Sequence, residues 1–298
     1  MKVVEIAKKI YHLKDKEWKL FLKENKDDEV TYVVRFFPKE GLMSMLYRAL
    51  RQIEYAVSMG WTPYIDTQHF SNMYKVKDMN SWECFFSEPS SEKKSKRHKR
   101  YVLASPMQAG TNLFKEYWAF SFNDYAEKSE FLKKYIHVNA EVEKKVDANC
   151  KKLQLDKCIG VYCRGTDYVS LKPKGHPVQP SVEEVIEVTK QFLIKEDANV
   201  FLVTEDANIK EAMKAEFADK LITLSEDIVF NDYKNGKMLS DSIESQRKIE
   251  VALIYLVKIL CLARCKRLIA SKTNGSLMAL ILNGGGYTQT HVFDKGFY

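Results

Sequence analysis

The sequence predicts an α/β protein whose carboxy-terminal half is a doubly wound parallel sheet. From about Asp156, short apolar runs (CIGVYC, NVFLV, KLITL, RLIAS, THVF) alternate with segments of helical period, the pattern of strands buried on both faces and joined by helices. A shorter strand–helix–strand unit can be read in the first half. The length of 298 residues with 45% hydrophobic residues exceeds one ordinary domain, so two domains are expected, at 1–150 and 151–298.

Each element has its own signature. In the first half VTYVVRFF reads as a strand, PKEGL as a loop, SMLYRALRQIEYAVSMG as a helix and TPYID as the next strand. The aromatic-rich stretch from NSWECFF to WAFSFNDY gives no periodic assignment, and AEVEKKVDANCKKL is a helix expected to carry the chain between domains. After CIGVYC, the helix SVEEVIEVTKQFLIKE places Val182, Val185, Ile186, Phe192 and Leu193 on one stripe, and Ser181 with Glu184 forms a capping box at its start. DANIKEAMKAEF follows NVFLV with Ile209, Met213 and Phe217 on one face, and a long apolar helix is expected from Ser242 to Cys265. RLIAS, the helix NGSLMALIL and THVF complete the half.

The composition excludes several classes. No run approaches the roughly 20 apolar residues of a membrane span, and the charged amino terminus lacks the apolar block of a signal peptide, so a cytoplasmic protein is expected. The six cysteines (Cys84, Cys150, Cys158, Cys163, Cys261, Cys265) form no CxxC pair and read as free thiols. The net charge of +7 is concentrated in the loop 91–100, where EKKSKRHKR holds six Lys or Arg against one Glu. A solvated loop is the plainer reading. Peripheral attraction to an anionic membrane or an acidic substrate is the sharper one, and no nucleic-acid partner is expected, because the sequence carries no binding motif for one.

Polar residues gather where the predicted strands end. In open α/β sheets the carboxyl ends of the strands face the ligand. CIGVYC runs into Arg164, whose planar fork suits phosphate oxygens, then Gly165 and Asp167, with His176 at the far end of the loop. NVFLV runs into Thr204, Glu205 and Asp206, where Asp206 also reads as a helix cap. RLIAS runs into Lys272, Thr273, Asn274 and Ser276 at a helix start, a candidate anion cradle. Asp167, His176 and Glu205 are the candidate bases.

These elements, in this order, resemble the fucosyltransferase clan that includes core α-1,6-fucosyltransferase, the bacterial nodulation fucosyltransferase and protein O-fucosyltransferases. YCRGTDYVSLKPKGHP resembles the clan's HxRRxD loop with its downstream His-Pro, FLVTEDANIKEAMKAEF its ATDDP-type strand and helix, and LIASKTNGSLMA its serine-bearing helix start. The resemblance implies two Rossmann-like domains in a GT-B-like arrangement, with the acceptor held mainly by the first and the donor by the second. It also implies inverting, metal-independent transfer from a GDP-sugar, GDP-fucose by preference, to a saccharide acceptor such as a lipid-linked precursor of surface polysaccharide or lipopolysaccharide. No cofactor is expected beyond the donor substrate.

Carried over by position, the resemblance gives Arg164 the donor's β-phosphate, with Asp167 supporting it and Thr273, Asn274 or Ser276 touching phosphate. Gly41 and Leu42 would offer amides from the first domain, and Tyr162, His176, Glu205 and Asp206 complete the donor site. The clan's leading His is Tyr162 here, its second arginine is Gly165, an acidic residue proposed as base in the core enzyme falls on Lys172, and a guanine-contacting aspartate falls near Lys258. A divergent bacterial member is therefore expected. Its rival is a nucleotide- or polyanion-binding protein without transferase activity. Losing the Arg164 guanidinium is expected to cost catalysis more than folding.

Overall fold

The structure, a computed structural model, describes residues 18–21, 30–87, 100–103, 125–231 and 238–298. The basic loop up to Lys99 lies outside the described residues, as does much of the aromatic-rich stretch. The chain divides into two compact units, residues 1–117 with 130–139 and residues 118–129 with 140–298.

The first unit holds strands β1 (Trp18–Phe21), β2 (Val30–Val34), β3 (Thr62–Ile65) and β4 (Arg100–Leu103) in the order β1-β4-β2-β3. β2 is parallel to β3 and β4, while β1 runs antiparallel to β4. Helix α1 (Leu42–Ser58) makes the crossover from β2 to β3 and buries Leu42, Met45, Leu46, Ala49, Leu50 and Ile53. Those positions follow the three-to-four spacing that puts one helical stripe against a sheet. α1 has no side-chain N-cap; its Leu42 amide donates instead to the Tyr74 hydroxyl at 2.9 Å.

Helices α2 (Tyr125–Tyr135) and α3 (Ala140–Leu153) lead to the five strands of the second unit: β5 (Ile159–Tyr162), β6 (Val200–Val203), β7 (Leu221–Ile222), β8 (Arg267–Ser271) and β9 (Gln289–Phe293). All are parallel, in the order β7-β6-β5-β8-β9. The chain builds outward from β5 to β7 and then returns to place β8 on the other side of β5. That reversal is the topological switch point where ligands meet such sheets. IGVY, VFLV and RLIAS are buried at every position, as strands covered on both faces must be.

The connecting helices follow the sequence closely. α4 (Thr166–Leu171) follows β5; α5 (Val182–Lys195) starts at the Ser181–Glu184 capping box. α6 (Ala207–Phe217) is capped by Asp206, whose carboxylate accepts the Asn208 and Ile209 amides. α5 and α6 cover one face through Val185, Phe192, Met213 and Phe217, packed on Ile159, Val161, Val200 and Leu202.

Two expectations need correction. The long helix α8 runs Lys248–Leu262, not 242–265; ahead of it lie the short α7 (Leu239–Ser242) and a 3-10 turn at Ser245–Arg247. The polar run ESQRK has no apolar stripe to hold it on the core, and Ile243 and Glu244 are extended. The segment after Arg164, read as one loop, instead contains α4, which ends at Lys172 in the left-handed region with φ 46°. Helix α9 (Asn274–Asn283) follows β8 as expected.

Candidate functional site

The switch point is closed by a direct bond between the two strand ends. The Arg164 amide, just past β5, donates to the Ser271 hydroxyl at the end of β8 over 3.3 Å. The Arg164 side chain then gathers two carboxylates. Its Nη2 donates to Asp167 Oδ1 at 3.0 Å, and its Nε lies 3.4 Å from Glu205 Oε1. Its guanidinium also stacks 4.7 Å over the Tyr168 ring, which meets His176 edge-on.

The carboxylates are fixed as firmly as the arginine. Asp167, 1% exposed, accepts the Thr166 hydroxyl at 3.1 Å through Oδ1 and the Leu239 amide at 3.0 Å through Oδ2. Glu205 Oε1 accepts the Gly165 amide at 3.0 Å and the Thr166 hydroxyl at 3.1 Å. Asp206 adds the Thr166 amide at 2.9 Å to its capping role. Thr166 takes φ 44°, a cost of roughly 1–3 kcal/mol for a β-branched residue, borne by these three carboxylates. Gly165 is required by space: a Cβ there would stand 2.4 Å from Asp206 Oδ2.

The electrostatics follow from burial and pairing. Burial opposes the Arg164 charge, but Glu205 and Asp167 outweigh it and hold the group firmly protonated. Burial likewise works to raise Asp167, yet Arg164, the Leu239 amide and the Thr166 hydroxyl leave it below the usual carboxylate value. His176 is lowered, first by burial, against an opposing pull from Asp167. The polar ends of β5 and β6 therefore form one cluster of a guanidinium and three carboxylates.

Several residues expected to meet a ligand are engaged within the fold. Thr273 Oγ1 accepts the Gly275 and Ser276 amides, and Ser276, fully buried, donates to the Ser271 carbonyl at 2.6 Å. The start of α9 is thus a capping box, and the open anion cradle expected there is corrected. Lys272 pairs with Asp294 at 2.8 Å beneath Phe297. Tyr162 is buried and shares a 3.1 Å hydrogen bond with the Tyr255 hydroxyl. The two hydroxyls close on Gly275, where a Cβ would fall 2.3 Å from Tyr255.

His176 serves as an anchor through its main chain, which accepts from the Tyr298 amide and donates to Pro173. In the first unit the Leu42 amide is taken by Tyr74, while Gly41 is exposed. Arg164, expected to matter to catalysis more than to folding, has a side chain 19% exposed that holds a buried carboxylate.

Sequence reasoning missed Tyr168, Tyr255, the Leu239 amide and Gln179. Gln179 is buried, donates to the Pro177 and Lys272 carbonyls, and leaves Oε1 without a partner. A Gln ahead of a capping box carries no signal that could have singled it out.

No protein-family model matches the chain, and no curated protein matches it in sequence. Solved structures do match it. NodZ α-1,6-fucosyltransferase soaked with GDP-fucose is 16% identical with a TM-score of 0.51, over 86% of this chain and 93% of that one. The same enzyme co-crystallised with GDP is 15% identical with a TM-score of 0.52, over 86% and 92%. NodZ from Bradyrhizobium is 15% identical with a TM-score of 0.50, over 82% and 88%. Divergent in sequence, the chain has the α/β fold of a GT-B-type fucosyltransferase.

Proposed function

We propose that the chain is a glycosyltransferase that moves a sugar, fucose by preference, from a GDP-sugar to a saccharide acceptor, with inversion and without a metal ion. The observation that carries this reading is the guanidinium of Arg164 at the carboxyl end of β5, at the switch point of the parallel sheet. A fixed cation there offsets the negative charge that develops on a departing diphosphate as the acceptor hydroxyl attacks the anomeric carbon. The likeness of fold to an α-1,6-fucosyltransferase supports the choice of donor.

On this reading Asp167 orients Arg164, Glu205 and Asp206 hold the turn beside it, and Tyr162, His176 and Asn274 belong to the same end of the sheet. The acceptor we favour is a precursor of surface polysaccharide or lipopolysaccharide in the bacterial cytoplasm, with the basic loop 91–100 drawing the protein to anionic lipid. No helix of the described residues is long and apolar enough to cross a membrane.

The test is binding and turnover together. GDP should raise the melting temperature by mass action, more than UDP, ADP or CMP do, and GDP-fucose should release GDP in the presence of saccharides. Binding without any turnover supports the rival reading of a nucleotide-binding protein. No thermal shift with any nucleotide sinks both.

A further inference from the structure

Four of the six cysteines gather at the edge of the second unit's sheet opposite Arg164. Cys158 directly precedes β5 and Cys265 stands two residues ahead of β8, where the Lys266 amide donates to the Cys158 carbonyl at 3.1 Å. Packing there is tight: a Cβ on Gly160 would fall 3.1 Å from Cys265 Sγ. Cys261 lies one helical turn before Cys265, whose thiol donates to the Cys261 carbonyl at 3.6 Å. Cys150 completes the group from α3.

The two helices bring Cys150 and Cys261 together. α3 buries Val142 and Val146, and Cys150 is the next position on that four-residue stripe, turned toward α8. Arg264, three residues beyond Cys261, donates to Glu143 at 3.0 Å and pins the same two helices from their rim. Across this contact the Cys150 and Cys261 thiols share a hydrogen bond. Among the described residues no three His, Cys, Asp or Glu side chains are arranged to hold a metal ion. The chemistry open to two adjoining thiols is oxidation to a disulfide.

The pair is unequal, as an attacking and a resolving thiol are. Cys150 is half-buried, whereas Cys261 is fully buried. The hydrogen bond from Cys261, helped by the Arg264 guanidinium, holds the Cys150 thiol below its ordinary 9.0 against the effect of burial. That same bond and burial push Cys261 up. Burial also pushes up Cys265, and takes Cys158 to about 11. One thiol of the cluster is therefore both reached by solvent and inclined to ionise, and a second waits behind it.

We propose that Cys150 and Cys261 form a reversible oxidation site, closed to a disulfide by hydrogen peroxide. The Cys150 thiolate attacks one peroxide oxygen, the O–O bond breaks, and hydroxide leaves and takes a proton from solvent. Cys150 is then a sulfenic acid. The Cys261 sulfur bonds to the Cys150 sulfur, and its proton departs with the displaced hydroxide as water. Two thiols are oxidised and one peroxide is reduced to two waters; a dithiol reductant reverses the bond. The disulfide ties α3 to the helix that holds Tyr255 against Tyr162 and Lys258 against the Thr204 carbonyl, and it closes about 110 residues of chain.

The experiment treats the whole chain, reduced and freed of reductant, with hydrogen peroxide, alkylates the remaining thiols and maps tryptic peptides without reduction. The peptides VDANCK and ILCLAR should appear joined, and dithiothreitol should separate them. Cys84, whose thiol is raised by burial and by Glu83, is the internal control; Cys150 should oxidise on the order of tenfold faster. The cross-linked protein should melt roughly 5–15 °C above the reduced one, because the closed loop is long. Cys150→Ser should form no cross-link and melt with the reduced wild type, and Cys261→Ala should hold Cys150 as a sulfenic acid that dimedone traps. A folded wild type that yields no joined peptide overturns the proposal. So does oxidation of Cys84 as fast as Cys150, a Cys150 disulfide to any other cysteine, or a cross-link that forms only in urea. The wild-type peptide map decides the pairing by itself, so a Cys261→Ala chain that fails to fold leaves the test intact.

Discussion

Replacing Arg164 by Ala tests the cluster at the end of β5 most directly. Asp167 is 1% exposed, and without the guanidinium its charge would rest on the Leu239 amide and the Thr166 hydroxyl alone. Glu205, 14% exposed, would keep the Gly165 amide and the same hydroxyl. Breaking a buried ion pair by removing one partner costs about 3–5 kcal/mol, and the partial exposure of Arg164 and Glu205 favours the lower end. At about 2–4 °C per kcal/mol for a unit of this size, a cost near 3 kcal/mol lowers the melting temperature by roughly 6–12 °C. Arg164→Lys keeps the charge, but its single ammonium cannot serve both carboxylates in fork geometry, so an intermediate loss is expected. The assay is thermal and urea unfolding of Arg164→Ala, Asp167→Asn and the double variant. The neutral amide that Asp167→Asn introduces no longer needs the guanidinium, so the double variant should be more stable than the two single losses sum to, with a coupling of about 1–3 kcal/mol. An Arg164→Ala protein melting within about 2 °C of wild type, or a coupling near zero, would refute this account of the cluster.

Further outcomes follow from the same geometry. Glu205 Oε1 sits on an amide, a hydroxyl and a guanidinium, groups that would also receive a phosphate oxygen; Glu205→Gln should therefore bind GDP on the order of tenfold tighter by calorimetry, and weaker binding would show that the carboxylate is needed to aim Arg164. Acid should destabilise the fold in two windows. His176 titrates below its ordinary 6.5 when folded, so the unfolded chain takes up the proton first and stability falls as pH drops below that value, then levels out; His176→Gln should flatten this window in melting curves. Asp167 titrates below its ordinary 3.8, so its contribution is full above that value and is lost as pH falls through the folded pKa, a window that Asp167→Asn should remove. Cys150 is half-buried, and its thiol is lowered by a hydrogen bond with Cys261 and then by Arg264 against the effect of burial. Mass spectrometry after brief iodoacetamide treatment should find it alkylated ahead of buried Cys158, Cys163, Cys261 and Cys265; equal labelling would contradict the packing of α3 on α8. Turnover, if Arg164 supplies the charge stabilisation, should survive excess chelator, and restoration by manganese alone would refute that role.

What the sequence made legible was local. IGVY and VFLV are almost wholly apolar and RLIAS has an apolar centre because both faces are covered, so their ends could be placed to within a residue. Ser181 with Glu184, and Asp206 before its helix, announce caps within four residues of chain. The partners of Arg164 and Asp167 are separated from them by up to 107 residues, as in the Arg164–Ser271 bond, and no spacing rule reaches that far. Thr273 and Ser276 show a subtler failure. A hydroxyl at a helix start followed by another three residues on suits an anion and suits a cap equally well, and here the cap takes the amides an anion would have used.

Lys258 shows how the divergence in sequence is absorbed without loss of the fold. The resemblance puts a guanine-contacting aspartate near this position, where a carboxylate would face the ligand. Lys258 is 5% exposed, donates to the Thr204 carbonyl at 3.0 Å and the Ile228 carbonyl at 3.2 Å, and pairs with Asp227, which also holds Lys210 at 2.7 Å. A buried ammonium needs three acceptors, and it finds them by tying the end of β6 to the segment before residue 231. Thr204 leads directly into Glu205, so this brace sets the carboxylate that meets Arg164. An aspartate here would meet two carbonyls and another carboxylate, with no donor among them but Lys210. Lys258 thus steadies, through Thr204, the turn that presents Glu205 to Arg164.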